Sequence, residues 1–194
     1  MKNNCKKCNL NQLAGIMPII DEKEQKCSVG GDYYYTEEGE RLGYQPGGDQ
    51  IRVIDKAQYS DGKYSTASLL CYASTGAQRN IFSKIAGRDC QVTAGTPTPD
   101  ANGFVEEAYC SPQGQISLNY YGSVYRECNY WDVYSTLLHE RTHVGQIGSS
   151  INEADRELLA RQAQINDQYF SRCSQDYQLR VLSDFVLRGG IVYF

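Results

Sequence analysis

The stretch Leu137-Leu138-His139-Glu140-Arg141-Thr142-His143-Val144 constrains this chain most. It holds the only two histidines, four residues apart, with a glutamate directly after the first. On a helix such a pair shares one face, so both imidazoles can grip a single metal ion. Glu140 then sits where it can serve as general base toward a water polarised at that ion. The plainer alternative is an ordinary helix with two surface histidines. The metal reading demands a helix over this stretch and another element that delivers a third ligand, because catalytic zinc sites use three protein ligands.

No third histidine exists, so a carboxylate must complete the set. The next helical pattern, Ile151 to about Phe170, offers Glu153 and Glu157, one turn apart on one face. Ser150-Ile151-Asn152-Glu153 fits a capping box, which would occupy Glu153 structurally. Glu157 lies closer to the apolar stripe Ile151, Ala154, Leu158 and Ile165, and Ala160 leaves room for a close helix approach. Glu157 is the preferred ligand; Glu153 is the alternative, with Asp155 behind both. The glutamate that does not bind can orient a histidine, since a ligating imidazole usually donates its other N–H. One of the sixteen tyrosines, or Arg141, would stabilise negative charge developing on a substrate carbonyl oxygen.

Net charge −4 and a pI near 5.2 argue against a nucleic-acid or anionic-membrane surface. No run of 18 apolar residues is present, so no membrane span is expected. The interrupted segment from Leu13 to Ile20 is too short for a signal peptide. Eight cysteines (Cys5, Cys8, Cys27, Cys71, Cys90, Cys110, Cys128 and Cys173) allow up to four disulfides of undetermined pairing. Cys5-x-x-Cys8 with Cys27 is alternatively half of a zinc ribbon. A cysteine nucleophile paired with His139 or His143 has no local signature to support it.

The patterning implies an α+β fold with small antiparallel sheets. An N-terminal cysteine-bearing segment with a three-stranded meander over 32–55 makes up residues 1–60, and a catalytic part makes up 61–194, the two possibly being one continuous domain. Ser65 to Ala86 reads as one amphipathic helix behind the histidine helix. Ser111-Pro112-Gln113-Gly114 separates the strands of a second hairpin. Asn129 or Asp132 caps the histidine helix, Ser149 or Ser150 caps the next, 179–187 is helical, and 190–194 is a short strand.

His139-Glu140-x-x-His143 with a downstream glutamate resembles the zincin metallopeptidases, specifically the gluzincin branch. Gln146 extends the motif to H-E-x-x-H-x-x-Q, similar to compact metallopeptidase toxins. The resemblance covers roughly 115–165. It implies a zincin-like domain, Zn2+ as cofactor and cleavage of amide bonds in a protein or peptide. It also implies that Gln115 to Asn119 is the edge strand along which substrate lies. Cys5-x-x-Cys8 followed by Gly15-Ile16-Met17-Pro18-Ile19 is similar to the opening of some type VI secretion effectors. That likeness implies delivery into a competitor's periplasm, a partner in the secretion apparatus or an immunity protein, and peptidoglycan as a second substrate class for a peptidase or amidase. A non-enzymatic binding module with a structural metal is the alternative; a fourth protein ligand, such as a cysteine, would close that site.

Overall fold

A computed structural model describes residues 31–93 and 106–192. The architecture is α+β, with two small sheets and six α-helices among the described residues. No helix there is long and apolar enough to cross a membrane. The described residues, from Gly31 onward, fall in one compact unit. The cysteine-bearing start of the chain lies outside the described residues, as do Tyr193 and Phe194.

The first sheet holds β1 (Gly31–Tyr35), β2 (Arg41–Pro46), β3 (Ile51–Val53) and β4 (Ser68–Leu69), in the order β2-β1-β3-β4. It is not the expected meander: β3 crosses to the far side of β1 and pairs with it in parallel. Asp32 explains the crossing. Its Oδ1 accepts from the Gly48 and Gln50 amides at 3.0 and 3.2 Å, and its Oδ2 accepts from Arg52 Nε. Gly47 passes so close that a Cβ there would stand 3.0 Å from the Asp32 carboxylate. One buried carboxylate thus winds the 47–50 turn beneath the start of β1 instead of letting it fold back beside β2.

The expected helix over 65–86 also resolves differently. A short α1 (Lys56–Ser60) and two 3₁₀ turns, at Tyr64–Thr66 and Leu70–Tyr72, precede α2 (Thr75–Ala86). Ser74 caps α2 by accepting from the Ala77 amide. The Gln78 amide group reaches the Leu70, Cys71 and Ala73 carbonyls at 3.3, 3.2 and 3.1 Å, satisfying acceptors that a continuous helix would have used. Gly76 therefore falls in a first turn and interrupts nothing. α2 packs on the histidine helix as expected.

The second sheet runs β5-β7-β6, with β5 (Cys90–Thr93), β6 (Ala108–Cys110) and β7 (Ile116–Asn119). The hairpin over 111–114 is present, but β7 is the central strand, fully buried and parallel to β5. Both sheets are therefore mixed, not antiparallel. The two edge strands, among the described residues, are β5 and β6. A short α3 (Ser123–Glu127) leads into α4 (Tyr130–Gln146), capped by Asn129, whose Oδ1 accepts from Trp131 and Asp132. α5 (Glu153–Asn166) and α6 (Gln175–Leu187) follow. No strand forms at 190–192. The first sheet docks on the start of α4: Ile51 N–H donates to the Cys128 carbonyl, Tyr130 N–H to the Asp49 carbonyl, and Tyr33 stacks on Tyr130 with centroids 3.9 Å apart.

Asp132 locks the other side of that helix start. It is 1% exposed and accepts from Ser174 N and Oγ at 2.8 and 2.6 Å, joining α4 to the cap of α6. Burial pushes its carboxyl up from 3.8 to about 6, against those two donors and Arg180. The folded value exceeds the unfolded one, so the native state binds the extra proton between about pH 4 and 6. This group's stabilisation is complete below that window and is lost as pH rises through it, by about 3 kcal/mol. Urea denaturation from pH 4 to 7 should therefore show wild type losing stability relative to Asp132→Asn. Parallel pH profiles for the two proteins would remove Asp132 as the cause.

Candidate metal centre

α4 carries His139 and His143 on one face, and a six-residue turn returns the chain as α5 against it. Gly148 makes that reversal in the left-handed region at φ 78°, and Ser149 closes it onto the Gln146 carbonyl. Arg156 donates to the Ile151 and Ser149 carbonyls, and its own carbonyl accepts from Gln146 Nε2 at 3.2 Å. Asn152 caps α5 by accepting from Asp155 N, so the expected capping box at Ser150 and Glu153 does not form. The helices run antiparallel: Glu157 reaches His143, while Gln164, two turns on, reaches back to Ser135.

Three donor atoms converge at this contact. His139 Nε2 and His143 Nε2 lie 2.9 Å apart, with Glu157 Oε2 and Oε1 at 3.4 and 3.0 Å from them respectively. Of the two glutamates considered, Glu157 joins the cluster. Glu153 is exposed at the cavity rim, and Asp155 is exposed and held by Asn152. The reason lies in which face of α5 turns inward. Ile151 and Ala154 are exposed and Leu158 and Ile165 only half-buried, so the apolar stripe is not the contact face. Glu157, Ala160, Arg161 and Gln164 form that face, with Ala160 and Gln164 fully buried.

The protonation pattern follows from two glutamines. Gln164 Nε2 donates to the Ser135 carbonyl at 3.0 Å and to Tyr177 Oη at 2.8 Å, and Arg161 Nη1 donates to its Oε1 at 2.9 Å. Its Oε1 therefore accepts from His139 Nδ1, 3.1 Å away. Gln146 is oriented likewise by the Arg156 carbonyl, and its Oε1 accepts from His143 Nδ1 at 3.0 Å. With both Nδ1 atoms carrying protons, both Nε2 atoms present lone pairs to one another and to a carboxylate. Lone pairs that close call for a cation between them. The separations also approach the roughly 3.3 Å edge of a tetrahedron with bonds of about 2.0–2.1 Å, so the two imidazoles and the carboxylate could hold a metal ion. Gln146 and Gln164 were not anticipated in these roles; the helical spacing Glu157, Ala160, Arg161, Gln164 was the available signal for the second.

Burial tunes the charges. Desolvation takes His139 down to about 4, so it is neutral, as a ligand must be. Desolvation opposes ionisation of His143 too, but Glu157 and Gln146 lift it above its ordinary value. Glu157 is held well below the usual carboxylate range because the two imidazoles outweigh its own desolvation. Glu140, 5% exposed, is pushed by burial up to about 8, opposed by His143 and reinforced by Glu157.

These groups open on a cavity of about 830 Å³ whose walls include β6, Thr136, Glu106, Arg161 and Arg180. β6, not the central β7, therefore provides the strand edge beside the site. Arg141 is exposed and outside the cavity. Arg161 is the cation anchored next to the cluster, by Asp184 at 2.7 Å and by Gln164. Among the described residues no cysteine joins the donor set.

Gln164 makes a further test of this arrangement. Gln164→Ala should cost about 2–3 kcal/mol, because it strands several buried partners. It should weaken metal binding about 10–100-fold by freeing the His139 ring. Unchanged metal affinity in the folded variant would contradict the orienting role. No family model, curated protein or solved structure matches the chain.

Proposed function

We propose that this protein is a zinc-dependent hydrolase of amide bonds, with His139, His143 and Glu157 as metal ligands and Glu140 as general base. The convergence of two imidazoles and a carboxylate beside a buried glutamate, at the floor of a cavity, carries the reading. A zinc ion bound there supplies Lewis acidity, polarising the scissile carbonyl and making water acidic enough to attack near neutral pH. Glu140 takes the proton from the attacking water and passes it to the leaving amine nitrogen. Its desolvated setting raises its affinity for that proton, and the positive charge of a bound metal ion would favour the ionised form it needs before attack. Arg161 offers positive charge to the carbonyl oxygen as negative charge develops there. Gln164 and Gln146 keep the two imidazoles aimed.

The zincin-like reading of the domain belongs here as well, as does the substrate. An extended peptide can add itself to the free edge of β6, giving main-chain hydrogen bonds without side-chain selection. A protein or peptide is the leading substrate, and the peptide stems of peptidoglycan the second. The donor set favours an enzyme over a closed structural site, because it holds three protein ligands and faces a cavity. The direct experiment is turnover of a mixed quenched-fluorescent peptide library. Cleavage should stop on chelation and return on adding zinc. A library untouched by zinc-loaded protein, with peptidoglycan stem peptides also intact, would overturn the hydrolase reading.

A further inference from the structure

Five cysteines fall among the described residues. Cys90 and Cys110 flank Ile116 from opposite sides of β7, which sets them two strand spacings, or about 10 Å, apart. That exceeds the limit of about 7 Å between Cα atoms for a disulfide. Cys173 turns its thiol to the Trp131 carbonyl, 3.4 Å away. Cys128 Sγ donates to the Tyr125 carbonyl at 3.0 Å and also accepts from the Cys71 amide at 3.2 Å, which brings its sulfur against the backbone of a second cysteine.

The backbone at Cys128 adds an independent argument. It ends α3 in the left-handed region, at φ 51°, where glycine or asparagine is the relaxed choice. A Cβ-bearing residue is strained there, and the side chain retained at that cost places its sulfur against the backbone amide of Cys71. Tyr125 Oη and Gln78 Nε2 both donate to the Cys71 carbonyl, holding the opposite partner in place.

We propose that Cys71 and Cys128 are oxidised to a disulfide that ties the 70–72 turn to the residue preceding the cap of α4. The oxidant is a small-molecule disulfide such as oxidised glutathione. Cys71 is half-buried and reachable, so its thiolate attacks the small disulfide, forming a mixed disulfide and expelling one thiol. The Cys128 sulfur, fully buried beside it, then attacks Cys71 Sγ and expels the second thiol, which takes up the Cys128 proton. Two protein thiols have then lost two electrons and two protons, and the oxidant has become two thiols. The bond spans 57 positions of sequence, enough for loop-closure entropy to raise Tm by about 10 °C. None of this rests on the metal site.

The test uses the full chain, equilibrated with oxidised glutathione, alkylated with N-ethylmaleimide and digested with trypsin. Mass spectrometry should find peptide 64–79 linked to peptide 127–141, and the oxidised protein should melt about 10 °C above the reduced one. Cys71→Ser keeps the buried Cys128 and should lose both the linkage and the thermal gain. Both cysteines alkylated in folded, oxidised protein would overturn the proposal, as would either one linked mainly to another cysteine. A thermal gain that persists in Cys71→Ser would assign the effect to a different bond.

Discussion

Glu140→Gln is expected to lower kcat/KM for amide hydrolysis by about 10³-fold or more while the protein stays folded and keeps its metal. The size follows from what a positioned general base contributes, about 10²–10⁴-fold. Glutamine keeps the shape of the side chain and removes its capacity to take a proton. Stability should barely change, because burial already favours the uncharged carboxyl and an amide in its place brings no new charge indoors. Circular dichroism and metal content separate loss of chemistry from loss of structure. Turnover within tenfold of wild type would mean that Glu140 is not the base.

Glu157→Ala is expected to weaken zinc binding at least about 100-fold, whereas Glu153→Ala should leave it within about twofold. Removing the partner that merely orients a ligand costs about 10–100-fold, and removing a ligand should cost more. The pair is informative because the two glutamates lie one turn apart on the same helix, yet only Glu157 has its oxygens within 3.0–3.4 Å of both imidazoles. Competition titration against a chromophoric chelator measures both variants. A Glu153→Ala protein as impaired as Glu157→Ala would place the third ligand at the wrong turn of α5.

The histidine helix was legible because its signal is local: two histidines four apart, a strong cap at Asn129 and a left-handed glycine after the end. The α+β class was legible for the same reason. What the sequence concealed depends on distant partners. Asp32 redirects β3 through contacts with residues 48–52, which no strand periodicity encodes. The inward face of α5 carries Glu157, Arg161 and Gln164 and is largely polar, so an apolar stripe pointed to the wrong side of that helix and a capping pattern to the wrong start. Glu157 was preferred over Glu153 partly for that stripe. Ala160 was the sounder clue, since its burial marks where the helices touch. Gln164 was invisible because a buried glutamine looks like any polar residue until four neighbours are arranged around it. Exchanging β7 for β6 at the sheet edge likewise depended on β5, whose parallel pairing spans 26 positions of sequence.

Elemental analysis of the purified wild-type chain, after dialysis against zinc and then against metal-free buffer, tests the central claim most directly. About one zinc per chain is expected, falling to none in His143→Ala. A wild-type chain that retains no zinc, or a His143→Ala chain that retains as much as wild type, would contradict it.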